Sequence, residues 1–304
     1  MASNIDITFL GTGGSWPSPG RSLPSVAVRV DDVLNIFDCG EGTQKQIMKS
    51  SLSFMKIENV FITHFHGDHF LGLLGLIQSM SFNGREDPLH IFGPPGAIPI
   101  MENALSVGYY TLGFKVVVHV LEPGTSVDMG KFIIRTHGND HPVPCIAYSL
   151  EEKDMVRIDP EKARSLDIPS RKLELLRNRG IIVHSGRTVS LEEVASGVRK
   201  GRKIVYTGDT RPMDDMHVFA RDADVLIHDT TTDSSLEPTV NQYGHTSSRQ
   251  AAIIARDANV KRFYLFHYSP RIDNPSVLLE EAKRIFPESY LSRELLHFDV
   301  KVRK

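Results

Sequence analysis

The stretch Thr63-His64-Phe65-His66-Gly67-Asp68-His69 places four metal-competent side chains within six residues. Neutral imidazoles together with a carboxylate suit a divalent ion of the zinc type. One histidine here would pass as an ordinary polar loop residue; three with an aspartate at this spacing do not. The same residue types recur further on: His141 beside Pro142, Asp209 in Gly208-Asp209-Thr210, His228 before Asp229, and His267. His141 is the candidate for a third imidazole on an ion held by His64 and His66. Asp209 is placed where a carboxylate can bridge two ions.

These residues need elements to position them. Asn59-Val60-Phe61-Ile62 is an apolar run bounded like a buried strand, and Leu71 to Ile77 is an apolar, helix-like run. The histidine cluster therefore occupies a loop that leaves a strand and enters a helix, where His64 and His66 can point one way and Asp68 and His69 another. Lys203–Thr207, Val225–Ile227 and Phe263–Phe266 read as strands that run into Asp209, His228 and His267. In layered α/β folds, sites gather at such strand ends. Near the start, Ile5–Leu10 reads as a strand running into Gly11-Thr12-Gly13-Gly14, where backbone can approach a ligand. Val26–Val30 and Asn35–Phe37 suggest a hairpin with Asp31-Asp32 at its turn. Asp38-Cys39-Gly40-Glu41-Gly42-Thr43-Gln44 follows, and Asp38 could cap the next helix or hold a metal ligand from behind. Leu89–Phe92, Val116–Val118, Phe132–Ile134 and Ile146–Leu150 read as further strands, and Gly244-His245-Thr246-Ser247 opens a helix. His90, His119, His137, His184, His217 and His297 lack the strand-end setting and read as non-ligands.

The chain has 304 residues, 40% hydrophobic and 24% charged, which suits a soluble protein with a sizeable core. A net charge of −2 excludes a global basic field, so any nucleic-acid partner must be met by a local patch. Residues Asp154 to Lys203 supply one: twelve Lys/Arg face seven Asp/Glu, a net of +5. The centre of that segment, Ser170 to Gly180, reads as a short helix with a C-terminal glycine. It is either a solvated surface helix or an arm that grips phosphates. Cys39 and Cys145 read as reduced core thiols. No apolar run reaches the ~20 residues of a membrane span. The N-terminus has neither a basic region nor a long apolar core, so no signal peptide and a cytoplasmic enzyme are expected.

Taken in order, these motifs resemble the ribonuclease Z family, the tRNA 3′-processing endonucleases of the metallo-β-lactamase superfamily, over nearly the whole chain. Asp38-Cys39-Gly40-Glu41-Gly42-Thr43-Gln44 matches the family's early acidic motif; His64, His66, Asp68 and His69 match its metal motif; His141, Asp209 and His267 match its later ligands. His245, in Gly244-His245-Thr246-Ser247, matches a catalytic residue of the family that lactamases lack. The resemblance implies an α/β fold, the metallo-β-lactamase αββα sandwich, as one domain over residues 1–304 with a basic exosite arm inserted at 154–202. It implies two zinc ions per subunit, one on His64, His66 and His141, the other on Asp68, His69 and His267, with Asp209 bridging. It implies removal of the 3′ trailer of precursor tRNA by metal-hydroxide attack on a phosphodiester, leaving a tRNA 3′-hydroxyl. Asp68 would receive the water's proton, and His245, aligned by Asp229, would protonate the leaving oxygen. Arg171, Lys172, Arg177 and Arg179 would contact phosphates, and the enzyme would be a homodimer.

The chain departs from the family in three places. His228-Asp229-Thr230-Thr231 stands where His-Glu-Ala-Thr is common, Pro169-Ser170-Arg171-Lys172 replaces a Gly-Pro arm tip, and Pro17-Ser18-Pro19-Gly20-Arg21-Ser22 lacks the lysine of Pro-x-Lys-x-Arg-Asn. The competing enzyme class is a phosphodiesterase for small or cyclic substrates, which would give a basic arm nothing to do. A non-catalytic RNA scaffold would show missing ligands, and none is missing.

Overall fold

Short runs of Val, Ile and Phe, buried along most of their length, form strands that need cover on both faces. The computed structural model describes residues 3–303. Its first sheet contains β1 (Ile5–Gly11), β2 (Ser25–Val30), β3 (Val33–Phe37), β4 (Ile57–Phe61), β5 (Leu89–Gly93) and β6 (Val116–Val120) in that spatial order. β1 to β3 pair antiparallel, and β3 to β6 pair parallel. The hairpin expected near the start is present, with Asp31 at its turn in the left-handed region (φ 54°). The second sheet begins with β7 (Ser126–Asp128), β8 (Phe132–Gly138) and β9 (Ile146–Glu152).

The chain then leaves the sheet and builds a separate compact unit, residues 152–202 with 302–303. Four strands form two antiparallel pairs: β10 (Met155–Ile158) with β13 (Ala195–Arg199), and β11 (Ile181–His184) with β12 (Arg187–Ser190). Only the helix Ser170–Arg179 of this unit is legible in the sequence; it ends as expected on Gly180 at φ 74°. Ile168, Leu176, Ile182, Val189 and Val194 bury one another in a small core of the unit's own. Much of its positive charge is paired internally. Arg202 Nε donates to Glu152 at 2.8 Å, Arg199 lies 3.2 Å from the same carboxylate, Lys200 pairs with Asp154 at 2.7 Å, and Arg187 pairs with Glu193.

Back in the other unit, β14 (Lys203–Tyr206) pairs antiparallel with β9, and β15 (Val225–Asp229), β16 (Phe263–Phe266) and β17 (Ser289–Leu291) follow in parallel. The last strand, β18 (His297–Asp299), returns to the free edge of β1. Alternate residues of both sheets meet between them: Ile5, Ile7 and Phe9 of β1 share one core with Ile204 and Tyr206 of β14 and Tyr264 and Phe266 of β16. Phe61 stacks between Phe37 and Phe92 at centroid distances of 5.0 and 4.8 Å. The outer face of the first sheet is covered by α1 (Thr43–Lys49), α2 (Gly72–Phe82) and α3 (Ala97–Leu105), the last of which the sequence reading did not mark. The outer face of the second is covered by Met216–Phe219, α4 (Ser248–Asp257) and α5 (Ser276–Ile285). This is the αββα sandwich. Cys39 and Cys145 are free and buried in it, and burial pushes the Cys39 thiol up to about 12. No helix among the described residues is long and apolar enough to cross a membrane.

Candidate metal centre

The loop after β4, the β8–β9 connection, and the ends of β14 and β16 bring seven side chains together. His64, His66, His141 and Asp209 form one group, and Asp68, His69 and His267, with Asp209, a second. Asp209 faces both: its Oδ2 lies 3.7 Å from His64 Nε2, and its Oδ1 lies 3.4 Å from His69 Nε2 and 3.3 Å from His267 Nε2. Asp68 Oδ2 lies 3.6 and 3.5 Å from the same two imidazole nitrogens. In the first group, His66 Nδ1 lies 3.0 Å from His64 Nε2 and 3.2 Å from His141 Nε2.

These spacings fit a metal. Ligands held tetrahedrally at ~2.1 Å lie ~3.4 Å from one another. His69 Nε2, His267 Nε2 and Asp209 Oδ1 are buried and have no hydrogen-bond partner, although buried polar atoms are ordinarily satisfied. An ion is what such a set of inward-facing lone pairs would bind.

The lone pairs face inward because the opposite ring nitrogens are held from behind. His141 Nδ1 donates to the Gly244 carbonyl at 2.9 Å, and His69 Nδ1 donates to Asp38 at 2.7 Å. Thr63 Oγ1 donates its proton to Asp38, so at 3.0 Å from His64 Nδ1 it can only accept. Thr231 Oγ1 donates to Asp229 at 2.6 Å and likewise accepts from His267 Nδ1 at 3.2 Å. All four rings are thereby fixed with the proton on Nδ1 and the lone pair on Nε2; His66, which turns its Nδ1 inward, is the exception. Asp38, the residue with two readings in the sequence, does not cap a helix: Gly42 precedes α1. Its carboxylate instead accepts from the Thr63 backbone and hydroxyl, from His69 and from the Tyr206 hydroxyl at 2.7 Å.

His245 lies beside this centre. Its Nδ1 is 3.0 Å from Asp229 Oδ2 and 3.7 Å from Asp209, and its ring stacks on His267 at 5.1 Å. Burial alone would lower its pKa, but the Asp229 and Asp209 carboxylates push it up to about 9. The shorter carboxylate of this chain therefore still reaches the ring. Two backbone elements complete the site, of which the sequence marked only the glycine loop, as backbone that could approach a ligand. The Ser15 N–H donates to Asp68 Oδ2 at 2.7 Å, and a Cβ on Gly14 would lie 2.3 Å from His267 Cε1. Thr63 and Thr231 adjoin legible motifs, but their roles depend on partners distant in sequence.

His228 does not join the centre: it lies within β15, and its Nδ1 meets only the neighbouring Asp229 carbonyl. His137 pairs with Asp215 at 3.2 Å, and His90 with His119 at 3.0 Å. In the other unit, Arg171 and Arg179 are exposed, while Lys172 and Arg177 are half-buried and Lys172 Nζ donates to the Val183 carbonyl.

Residues 35–268 match the model of the β-lactamase superfamily domain. The chain is 66% identical to a ribonuclease Z of Thermoplasma acidophilum, over 100% of this chain and 99% of that one. It is 53% identical to a ribonuclease Z of Picrophilus torridus, over 99% and 97% of the two chains. Among solved structures, human tRNase Z, short form, superposes with a TM-score of 0.71 at 27% identity, covering 98% of this chain and 100% of the other. On this sequence, fold and arrangement of side chains, the chain belongs to the ribonuclease Z family of the β-lactamase superfamily.

Proposed function

We propose that the protein is a tRNA 3′-processing endonuclease that cuts the phosphodiester joining a tRNA to its 3′ trailer. The observation that carries this reading is a seven-donor centre with a carboxylate-held imidazole, His245, beside it. Two zinc ions would be held, one by His64, His66 and His141, the other by Asp68, His69 and His267, with Asp209 common to both. When bound they supply positive charge to the phosphate oxygens and acidify a water.

The protein's own groups do the rest. Asp68, oriented by the Ser15 amide, takes a proton from the attacking water. The water oxygen attacks phosphorus opposite the 3′-oxygen of the last tRNA nucleotide. That oxygen is a poor leaving group unless protonated. His245, whose Nδ1 is engaged by Asp229, delivers a proton from Nε2. The products are a tRNA 3′-hydroxyl and a trailer with a 5′-phosphate. Arg171, Lys172, Arg177 and Arg179 contact tRNA phosphates, and a folded RNA is recognised by shape and backbone. Such a role is cytoplasmic. A homodimer follows from the family resemblance, and exposed Met48 and Leu71 offer it apolar surface; sedimentation velocity would test the state.

The decisive experiment is incubation with a 3′-extended pre-tRNA and Zn²⁺, mapping the cut. Cleavage at the tRNA–trailer junction is expected, with His64→Ala losing metal and activity together. Failure to cut, with hydrolysis of a cyclic or small diester instead, would favour the phosphodiesterase reading.

A further inference from the structure

Two large aromatic side chains near the centre have no part in it. Trp16 is 52% exposed and Tyr243 is 69% exposed. Each is tied to the centre through its neighbouring backbone, on a different side. Trp16 follows Ser15, whose N–H holds Asp68 in the group with His69 and His267. Tyr243 precedes Gly244, whose carbonyl holds His141 in the group with His64 and His66.

The Trp16 loop is stiff. Gly14 N–H donates to the Tyr268 carbonyl at 3.0 Å, and Trp16 N–H donates to Gly14 at 2.9 Å. Ser18 and Arg21 exchange backbone hydrogen bonds at 3.1 Å, with Pro19 inside that turn and Pro17 between it and Trp16. Pro17 also restricts Trp16 to extended backbone. An exposed indole on a rigid loop loses little entropy when it meets a flat partner. Bases beside a cluster of carboxylates cannot be gripped by charge, whereas every base offers a π-face.

We propose that Trp16 and Tyr243 are stacking platforms for the bases on the two sides of the scissile phosphate. Trp16 takes the first base of the trailer. The sides follow from His245: Tyr243 is two residues from the group that protonates the tRNA 3′-oxygen, so it belongs to the tRNA side. The inference rests on the endonuclease reading.

Trp16 is the only tryptophan in the chain, so indole emission reports on it alone. Zinc-loaded protein is mixed rapidly with pre-tRNA carrying either a normal or an abasic first trailer nucleotide. Emission should fall before cleavage with the normal RNA and hardly change with the abasic one. W16A should raise KM for the normal RNA by roughly 5- to 150-fold, as loss of one base–aromatic stack does. W16F should restore most of that, and the W16A penalty should vanish on the abasic RNA. A quench of equal size with both RNAs, or an equal W16A penalty on both, would overturn the proposal. The abasic comparison in the wild type needs no variant to fold. If the wild type cuts but its emission is unchanged, stacking alone is wrong. If it leaves trailer-bearing RNA uncut, the endonuclease reading fails and this inference with it.

Discussion

Gly14→Ala adds one methyl group where backbone packs directly against His267. The added Cβ would sit 2.3, 2.5 and 2.7 Å from His267 Cε1, Nε2 and Nδ1. Carbon atoms pack at roughly 3.5–4.0 Å, so ring and loop must separate by about 1 Å or more. Neither has room to move. His267 is 2% exposed, its ring lies between those of His69 and His245 at 5.3 and 5.1 Å, and its Nδ1 is bonded to Thr231. The loop is anchored by the Gly14–Tyr268 and Ser15–Asp68 hydrogen bonds. A misplacement of about 1 Å at a reacting centre costs roughly 10²-fold in rate. Gly14→Ala should therefore reduce kcat/KM for pre-tRNA about 10²-fold and, of the two zinc ions proposed, lose one on dialysis against a weak chelator, measured by mass spectrometry. Gly20→Ala is the control, because it lies in the same loop with nothing within 4 Å of its added Cβ; it should be neutral. A Gly14→Ala protein with full metal content and near-normal activity would refute the claim that this backbone fixes His267.

His245→Ala should keep its metal yet cut pre-tRNA 10²–10⁴-fold more slowly. Its loss on an activated diester, whose leaving group needs no proton, should be much smaller, and equal losses would argue against the acid role. Asp38→Ala strands the Thr63, His69 and Tyr206 donors in a buried site; with an unmet buried donor costing about 1–3 kcal/mol, a large fall in Tm and in zinc affinity is expected together, and normal zinc affinity would count against the Asp38–His69 contact. The pair Arg171→Glu and Arg179→Glu, the exposed members of the four candidate arm cations, should weaken tRNA binding and flatten its salt dependence, with hydrolysis of a small chromogenic diester retained. Unchanged tRNA affinity would leave that helix as ordinary solvated surface.

The sandwich was legible because its strands are short, nearly continuous apolar runs, and because four of them run into His or Asp. Six of the seven donors flank such runs directly. His141 was legible from its proline and its position after a strand. What could not be read locally is whatever depends on two remote segments meeting. Asp38 and Tyr206 are 168 positions apart, and nothing near Asp38 distinguishes a helix cap from a carboxylate that steers His69. The glycine loop read as backbone that could approach a ligand, but nothing local says that Gly14 meets a ring 253 residues away. His228 shows the reverse. Its strand-end setting suggested the centre, but strand alternation sends it to the face opposite Asp229. The basic segment read as one helix because its strands are only four or five residues long and lie partly exposed among many charged residues, too short to stand out.

Glu151 and Lys203 are cross-strand partners in β9 and β14, and the next residues, Glu152 and Arg202, continue with a backbone hydrogen bond of 2.8 Å. The excursion of residues 153–201 thus departs and returns on adjacent rungs. For a flexible stretch, each doubling of length between closed ends adds only ~0.6 kcal/mol of closure entropy. In evolutionary terms, this makes the excursion a place where insertions, deletions and changes of tip sequence can accumulate with little effect on the sheet that holds the ligands. With tRNA phosphates held there, as proposed, substrate choice can drift while the chemistry stays fixed.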